Sequence, residues 1–600
     1  MCGIIGINEQ NEAQVRIAAS LFAYRGPDAT RLFSDARVTL GHHRLSILDI
    51  DPRSHQPMAS ADGALRIVFN GEIYNFKQVK EQLSGKYQFK TTSDTEVLLC
   101  AYKEWGVNMT EQIRGMYAFA LYDTAQQKIV LMRDHVGIKP LYYYAKAGVF
   151  AFASEMKGLT ALLSAKGLSL KVLADSVELF ITLGYVPSPY TIYEDVFRVE
   201  RSSVVEYDLS ARAISKKATY RQNVSVVKGE EEFAQLLETQ VLSHLVSDVP
   251  VGVFFSGGTD SSLVAAILQK HRISLETFSI AVDRKAEDQA YFKRIGVALQ
   301  LKTNVFSFGV DEFDAVYEEV MSKIDEPTHD NSIFPTYFVS KKAAEKVKVV
   351  LSGEGGDEYF FGYHRDTVLS KLSAKQDYNI TWLDRLFFLM PNVRSKNALF
   401  ERFFILFGQP FSFYLLHMSP SKDLASLEGW RLWKGLFRQN ATTPRLLDQD
   451  FYLEGDLLRK TDFATSYVSI EGRVPLLDVD VVRNSTQFSD QSLVGGVSKA
   501  FLKKILTRYL PKELVYRNKS GFGIDLRGLF KSSRLLKREL VEAQQYLRER
   551  LLLRPEHENA ERLMARYPNL AFALISLFRV LKNVDFSGGA DDSRSSSVFK

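Results

Sequence analysis

The chain has 600 residues, a formal net charge of +5, 46% hydrophobic and 24% charged residues, and only two cysteines. That balance fits a soluble chain of roughly two to four domains. It gives no basic excess calling for nucleic acid, and two cysteines exclude a disulfide framework. No charged-then-apolar leader precedes Cys2 and no apolar run reaches the ~18 residues of a spanning helix, so a reducing, cytoplasmic setting is expected.

The chain opens Met1-Cys2-Gly3-Ile4-Ile5-Gly6. Removal of Met1 would give Cys2 both a thiol and a free α-amine. These titrate near ~8.5 and ~8, close enough for proton transfer between a nucleophile and its own base. The run Ile4–Ile7 reads as a buried strand that pins this terminus. Further short β-type runs follow at Val38–Leu40, Leu65–Phe69, Tyr117–Tyr122, Ile129–Met132, Tyr142–Tyr144 and Val149–Ala153, with one helix over Thr95–Trp105. Residues 1–210 thus read as an α+β domain of two packed sheets.

The pattern changes near residue 230. A helix over Glu230–Leu245 leads to a continuous apolar strand, Val251–Phe255, and then to Ser256-Gly257-Gly258-Thr259-Asp260-Ser261-Ser262 and a helix to Lys270. Strands over Leu275–Val282, Thr303–Phe308 and Val347–Leu351 alternate with helices over Asp288–Leu299, Asp311–Ile324 and Phe334–Val347. This alternation predicts a doubly wound parallel sheet. Beyond about residue 370 the chain reads mainly helical, residues 380–440 are aromatic-rich, and 586–600 read as a disordered polar tail.

Two loops carry chemistry. The glycines of Ser256–Ser262 let a polyphosphate approach the backbone, the serines donate, and the following helix start favours an anion. Asp260 makes sense there if Mg²⁺ lies between it and the phosphates. No lysine follows the glycines, so this is not a Walker A loop. The similar run Ser587–Ser593 has no following helix and carries no weight. A second loop, Ser352-Gly353-Glu354-Gly355-Gly356-Asp357-Glu358, follows the strand ending at Leu351, so both loops should face one crevice at the strand ends.

Several motifs now occur together. Cys2, Arg25-Gly26-Pro27-Asp28, His43–Ile47, Phe69–Asn75, Ser93–Glu96, Arg133–Tyr143 and Ser154–Lys157 resemble a class II glutamine amidotransferase domain. The two glycine-rich loops resemble an ATP-pyrophosphatase synthetase domain. In this order they resemble the glutamine-hydrolysing asparagine synthetases, over about 1–370 and again 450–530. The resemblance implies an Ntn-hydrolase-type αββα sandwich (1–210), a parallel-sheet α/β synthetase domain with a helical C-terminal part (211–585), and a tail.

It also implies roles. Cys2 would be the nucleophile, with Asn70 and the Gly71 amide as oxyanion hole. Arg44 would clamp the glutamine α-carboxylate, Glu72 and Asp94 would take its α-ammonium, and Leu45, Ser46, Ile47 and Leu48 would frame the pocket. Ser256, Gly257, Gly258, Asp260, Ser261 and Ser262 would hold ATP phosphates, while Phe255, Ile280, Ser352 and Gly353 would contact adenosine. Asp260 and Asp357 would bind Mg²⁺. Glu354 would be the acid/base at the acyl-adenylate, and Lys519 would stabilise leaving pyrophosphate. Asp462, Glu471, Arg473 and Pro475 match a family segment bordering the acceptor site.

Three positions depart from the family: Ser466 where methionine is usual, Phe463 where a basic residue is usual, and Phe361 where glycine is usual. They are expected near the acceptor pocket. The leading expectation is amidation of aspartate, with glutamine and ATP as co-substrates. The alternatives are the same chemistry on another carboxylate, such as a sugar uronic acid, and a non-catalytic glutamine- or nucleotide-binding regulator. A homodimer is compatible, no nucleic-acid partner is expected, and a shielded ammonia passage between the domains is expected.

Overall fold

The computed structural model describes residues 1–218, 226–282, 286–363, 365, 414, 418–419, 432, 444–488, 497–516, 523–550, 552–553, 557 and 559–583. The aromatic-rich segment 380–440, apart from the single positions just given, the motif around Lys519 and the polar tail lie outside these residues.

The first 218 residues form two six-stranded sheets. In chain order the strands are β1 (Gly3–Ile7), β2 (Ala29–Ser34), β3 (Thr39–Arg44), β4 (Met58–Ala59), β5 (Leu65–Ile73), β6 (Gly115–Asp123), β7 (Lys128–Arg133), β8 (Tyr142–Lys146), β9 (Val149–Ala153), β10 (Val196–Arg198), β11 (Ser203–Asp208) and β12 (Ala213–Ala218). One sheet runs β10-β8-β9-β1-β3-β2 and the other β12-β11-β7-β6-β5-β4. Alternating side chains of β1, β3, β5, β6 and β9 (Ile4, Leu40, Val68, Ala118 and Phe152) fill the space between them. Helices Glu12–Ser20 and Met156–Ala165 cover the first sheet, and Asp94–Trp105 packs on the second. This is the expected αββα sandwich.

β1 lies between β3 and β9, with Gly3 opposite His43 and Ile5 opposite Ala153. The chain terminus is therefore held in mid-sheet, as the apolar run predicted. β5 extends past the predicted Phe69 through Asn70, Gly71 and Glu72, because these pair with Ala118, Tyr117 and Met116 of β6.

The second unit is a five-stranded parallel sheet of β13 (Val251–Phe254), β14 (Glu276–Val282), β15 (Lys302–Phe308), β16 (Val349–Leu351) and β17 (Glu471–Arg473), in the order β15-β14-β13-β16-β17. The order reverses between β13 and β16. That switch point opens a crevice at the strand ends, and the two glycine-rich loops leave from it. Helix Thr259–Lys270 begins on the first loop. β17, three residues without an apolar side chain, was not visible in the sequence pattern.

The two units meet through buried charge. Arg25, on the first, reaches Asp462 with both terminal nitrogens (2.8 and 3.2 Å) and Glu155 at 3.1 Å, and its Nε–H donates to the Cys2 carbonyl. Ser466 also accepts from Arg25, and Phe463 stacks on Tyr467 within the helical core. Neither Phe463 nor Ser466 lines the crevice, which corrects their expected place near the acceptor. Asp462 likewise belongs to this seam. Replacing Arg25 by methionine should leave Asp462 buried without its cation, with Glu155 keeping only Lys157, and cost about 3–5 kcal/mol. Thermal unfolding followed by circular dichroism should show a lowered midpoint; an unchanged midpoint would mean the cluster holds nothing together.

Candidate functional site

The first site lies at the start of β1, beside the end of β3 and the stretch Asn70–Glu72 of β5. The Cys2 N–H donates to Asn70 Oδ1 at 3.0 Å, and the thiol lies 3.9 Å from the Leu45 carbonyl. The pairing of β5 with β6 fixes Asn70, which is fully buried, and among the described residues its Nδ2 has no hydrogen-bond partner. An orphaned buried N–H beside a nucleophile is costly, and it is the group an oxyanion hole requires. Gly71 has φ +154°, and a Cβ there would lie 2.1 Å from the Met116 carbonyl oxygen, so only glycine fits.

Met1 is buried, with its sulfur 2.9 Å from Lys139 Nζ and 3.9 Å from Arg25. Burial lowers the Met1 amine to about 5 and pushes the Cys2 thiol up. With Met1 in place, the nitrogen held by Asn70 is an amide rather than an amine.

Glu72 and Asp94 are both buried and close in charge. Asp94 opens helix Asp94–Trp105, and its Oδ2 accepts the Ile73 N–H at 3.1 Å. Burial raises Asp94 to about 6; burial, reinforced by Asp94, raises Glu72 well above the usual carboxylate range. Glu72 meets the Arg473 guanidinium at 2.9 Å. Arg44 is engaged with its own loop. Its terminal nitrogens donate to the carbonyls of Leu48, Asp49 and Asp51 and meet His55 Nδ1. Its fork therefore props the loop 45–51 from behind and leaves only Nε–H free of these partners. Ser46 N–H is tied to Asp28, and the Ile47 carbonyl accepts from Asp248 of the second unit.

The second site is a cavity of about 320 Å³ at the strand-order switch point. Every residue expected from sequence to meet ATP within the described region lines it, from Phe255 and Ser256–Ser262 to Ile280, Ser352 and Gly353. Glu354 and Asp357 line it too. Glu354 accepts from Ser352 Oγ and from Thr461 Oγ1 at 3.0 Å. Beside it Lys460, which faces Asp330 at 3.6 Å, also reaches the cavity.

Lys499 was not singled out in the sequence. Its ammonium sits between Asp260 and Asp357, the latter at 2.7 Å. Burial opposes its charge, but the two carboxylates outweigh burial and hold its pKa above the usual lysine value. Phe361 accounts for this placement. It adopts φ +57°, which explains why glycine is usual there, and its carbonyl accepts the Lys499 N–H at 3.1 Å. The two carboxylates are thus already arranged around a cation. Hard oxygen ligands facing a phosphate loop fit Mg²⁺, which would need Lys499 to move toward the phosphates. Among the described residues no group of three or more ligating side chains occurs, so phosphate oxygens would complete any such site.

Residues 1–220 match the glutamine amidotransferase domain family, and 232–567 match the asparagine synthase family. The chain belongs to the glutamine-hydrolysing asparagine synthetase family. It is 30% identical over 574 residues to glutamine-hydrolysing asparagine synthetase 1 of Bacillus subtilis, covering 89% of this chain and 88% of that protein. It is 36% identical over 394 residues to a putative glutamine-hydrolysing asparagine synthetase 2 of Methanocaldococcus jannaschii, covering 60% and 76%. It is also 28% identical over 422 residues to amidase chyE of Penicillium rubens, covering 63% and 61%. The chain is therefore an asparagine-synthetase-type carbon–nitrogen ligase with glutamine as nitrogen donor. No described helix is long and apolar enough to cross a membrane.

The loops at the second site touch. A Cβ on Gly353 would lie 2.8 Å from Asp260 Cβ and from the Ser261 nitrogen. Gly353→Ala should therefore push the two loops apart, at about 1–3 kcal/mol. Calorimetry should show Mg-ATP binding weakened roughly tenfold; unchanged affinity would contradict this contact.

Proposed function

We propose that this synthetase amidates aspartate to asparagine through a β-aspartyl-AMP intermediate, using ammonia released from glutamine at Cys2. The observation that carries the acceptor assignment is the position of the departing residues. Phe463 and Ser466 belong to the seam between domains, and Phe361 sets Lys499, so none of them argues for a different acceptor. Lys460, which lines the cavity together with Glu354, offers a cation to the acceptor.

At the first site, removal of Met1 would free the Cys2 amine to accept the thiol proton. The thiolate attacks the glutamine side-chain carbonyl. The developing oxyanion takes hydrogen bonds from Asn70 Nδ2 and the Gly71 amide, while Glu72 and Asp94 hold the α-ammonium. Ammonia leaves, and water resolves the thioester to glutamate. At the second site, an aspartate carboxylate oxygen attacks the α-phosphorus of ATP and pyrophosphate departs. Ammonia then displaces AMP from the acyl carbon, with Glu354 positioned to take the proton. Mg²⁺ held by Asp260 and Asp357 would neutralise the polyphosphate. Lys499, and Lys519 beyond the described residues, are the cations proposed for the leaving pyrophosphate. Ammonia protonated in bulk water is not a nucleophile, so an internal passage is part of the proposal. We place its start at the seam beside Cys2, near Lys139 and the Gly472 carbonyl, 3.5 Å apart.

The acceptor is tested by supplying glutamine and Mg-ATP with a panel of carboxylic acids, uronic acids included, and following pyrophosphate. Aspartate should give pyrophosphate and asparagine; no turnover with aspartate sinks the assignment. Asn70→Ala should lower the glutamine-dependent rate by about 10²–10³, leaving ammonium-dependent turnover near normal. If both rates fall alike, Asn70 is not an oxyanion donor. Because Asp94 titrates near 6 and acts ionised, kcat/KM for glutamine should fall as pH drops through about 6. A flat profile from pH 5 to 7 would contradict its role.

A further inference from the structure

Arg473 lies on β17 of the synthetase sheet and is fully buried. Its side chain leaves that sheet and crosses to the other domain. One terminal nitrogen donates to Glu72 Oε2 at 2.9 Å, while Nε donates to Glu471 Oε1 at 2.9 Å. The other terminal nitrogen holds the carbonyls of His244 and Val246. Among the described residues, the second oxygen of Glu72 has no hydrogen-bond partner. It is buried next to Asp94, where the α-ammonium of glutamine is proposed to sit.

The backbone of Arg473 faces the other way. Its carbonyl accepts the N–H of Ser352 at 2.9 Å, and Leu351 of β16 is its register partner. Ser352 is the first residue of the second glycine-rich loop. It lines the ATP cavity, and its hydroxyl donates to Glu354. A single residue thus touches the proposed glutamine carboxylate with its side chain and the nucleotide loop with its main chain, with no flexible segment between.

We infer that Arg473 is a positioning residue that couples the two sites: it sets Glu72 for glutamine and, through its carbonyl, sets Ser352 and the loop bearing Glu354. The inference rests on the assignment of the two sites given above. Its chemistry is a competition. Among the described residues, Arg473 is the one cation in contact with Glu72. When an ammonium pairs with the free oxygen of Glu72, the hold on Arg473 slackens and Glu471 takes a larger share. Because Glu471 and Arg473 are two residues apart on one short strand, redistribution between them turns the strand end that holds Ser352. The same path runs in reverse when nucleotide loads the loop, and such coupling is reciprocal in binding free energy.

The experiment measures glutamine binding by calorimetry in a Cys2→Ala background, which binds without hydrolysing. Titrations are run with and without saturating Mg-ATP. The Cys2→Ala protein should show a change in glutamine Kd of about threefold or more on adding Mg-ATP, with the same factor for Mg-ATP on adding glutamine. In Cys2→Ala/Arg473→Met the factor should fall to one. Glutamine binding should weaken about tenfold, and Mg-ATP should still bind. In Arg473→Met alone, glutamine-dependent turnover should fall about tenfold further than ammonium-dependent pyrophosphate release, a split that a merely structural defect would not produce. If the double variant does not fold, Arg473→Lys, which keeps the charge but not the fork, should show the same loss of coupling. A factor that persists in the variant, or equal loss of ammonium-dependent and glutamine-dependent turnover, overturns the inference. If glutamine or Mg-ATP fails to bind the Cys2→Ala protein at all, the assignment of the sites fails first, and the coupling with it.

Discussion

The structure depends on charge buried between its two halves. Arg25 with Asp462 and Glu155, Arg473 with Glu72 and Glu471, and Arg133 with Glu454 are all removed from water, and Arg133 and Arg25 each pair across the seam. An ion taken out of water is tolerated only when its partner is in place. These pairs therefore admit one relative placement of the domains. That placement brings the Cys2 carbonyl, the glutamine-pocket carboxylates and the edge of the nucleotide sheet into one connected cluster. A flexible linkage between an ammonia source and an ammonia consumer would not serve the chemistry; a seam that tolerates one register does.

Much of the fold was legible because burial writes a pattern. Val149–Ala153 and Val251–Phe254 are apolar runs in central or near-central strands, and their bounds agree with the reading to within a residue. Of the strands that escaped notice, β11 carries the buried Val204, Val205 and Tyr207, but three others carry little apolar signal. β12 is exposed along its whole length, β2 is only partly buried, and β17 reads Glu-Gly-Arg. Such strands exist because a neighbour templates them, which a local pattern does not contain. The extension of β5 past Phe69 has the same cause: Asn70-Gly71 would pass locally for a turn, but β6 pairs with it throughout.

The site was legible wherever function imposes a local constraint. The glycine-rich loops announce themselves because two backbones and a ligand must meet there, and the close approach of Gly353 to Asp260 is that constraint in atomic form. Lys499 and Arg473 were harder. Lys499 is 239 residues from Asp260, and Arg473 is 401 from Glu72; on its own segment Lys499 reads as one more lysine, and Arg473 was placed only by resemblance, at the acceptor border rather than against Glu72. Arg44 shows what residue type leaves out: it suits a carboxylate clamp, and the structure adds that carbonyls of its own loop take its terminal donors. The departures at Phe463 and Ser466 were visible in the sequence, yet only the packing shows that they face the seam rather than the cavity.

The central claim is that one chain holds two separate chemistries joined by ammonia. The most direct measurement compares nitrogen sources in the Cys2→Ala protein, following asparagine and pyrophosphate. Turnover with glutamine should vanish while turnover with ammonium and Mg-ATP persists at close to the parent rate. Glutamine-dependent synthesis that survives without the thiol would contradict the account.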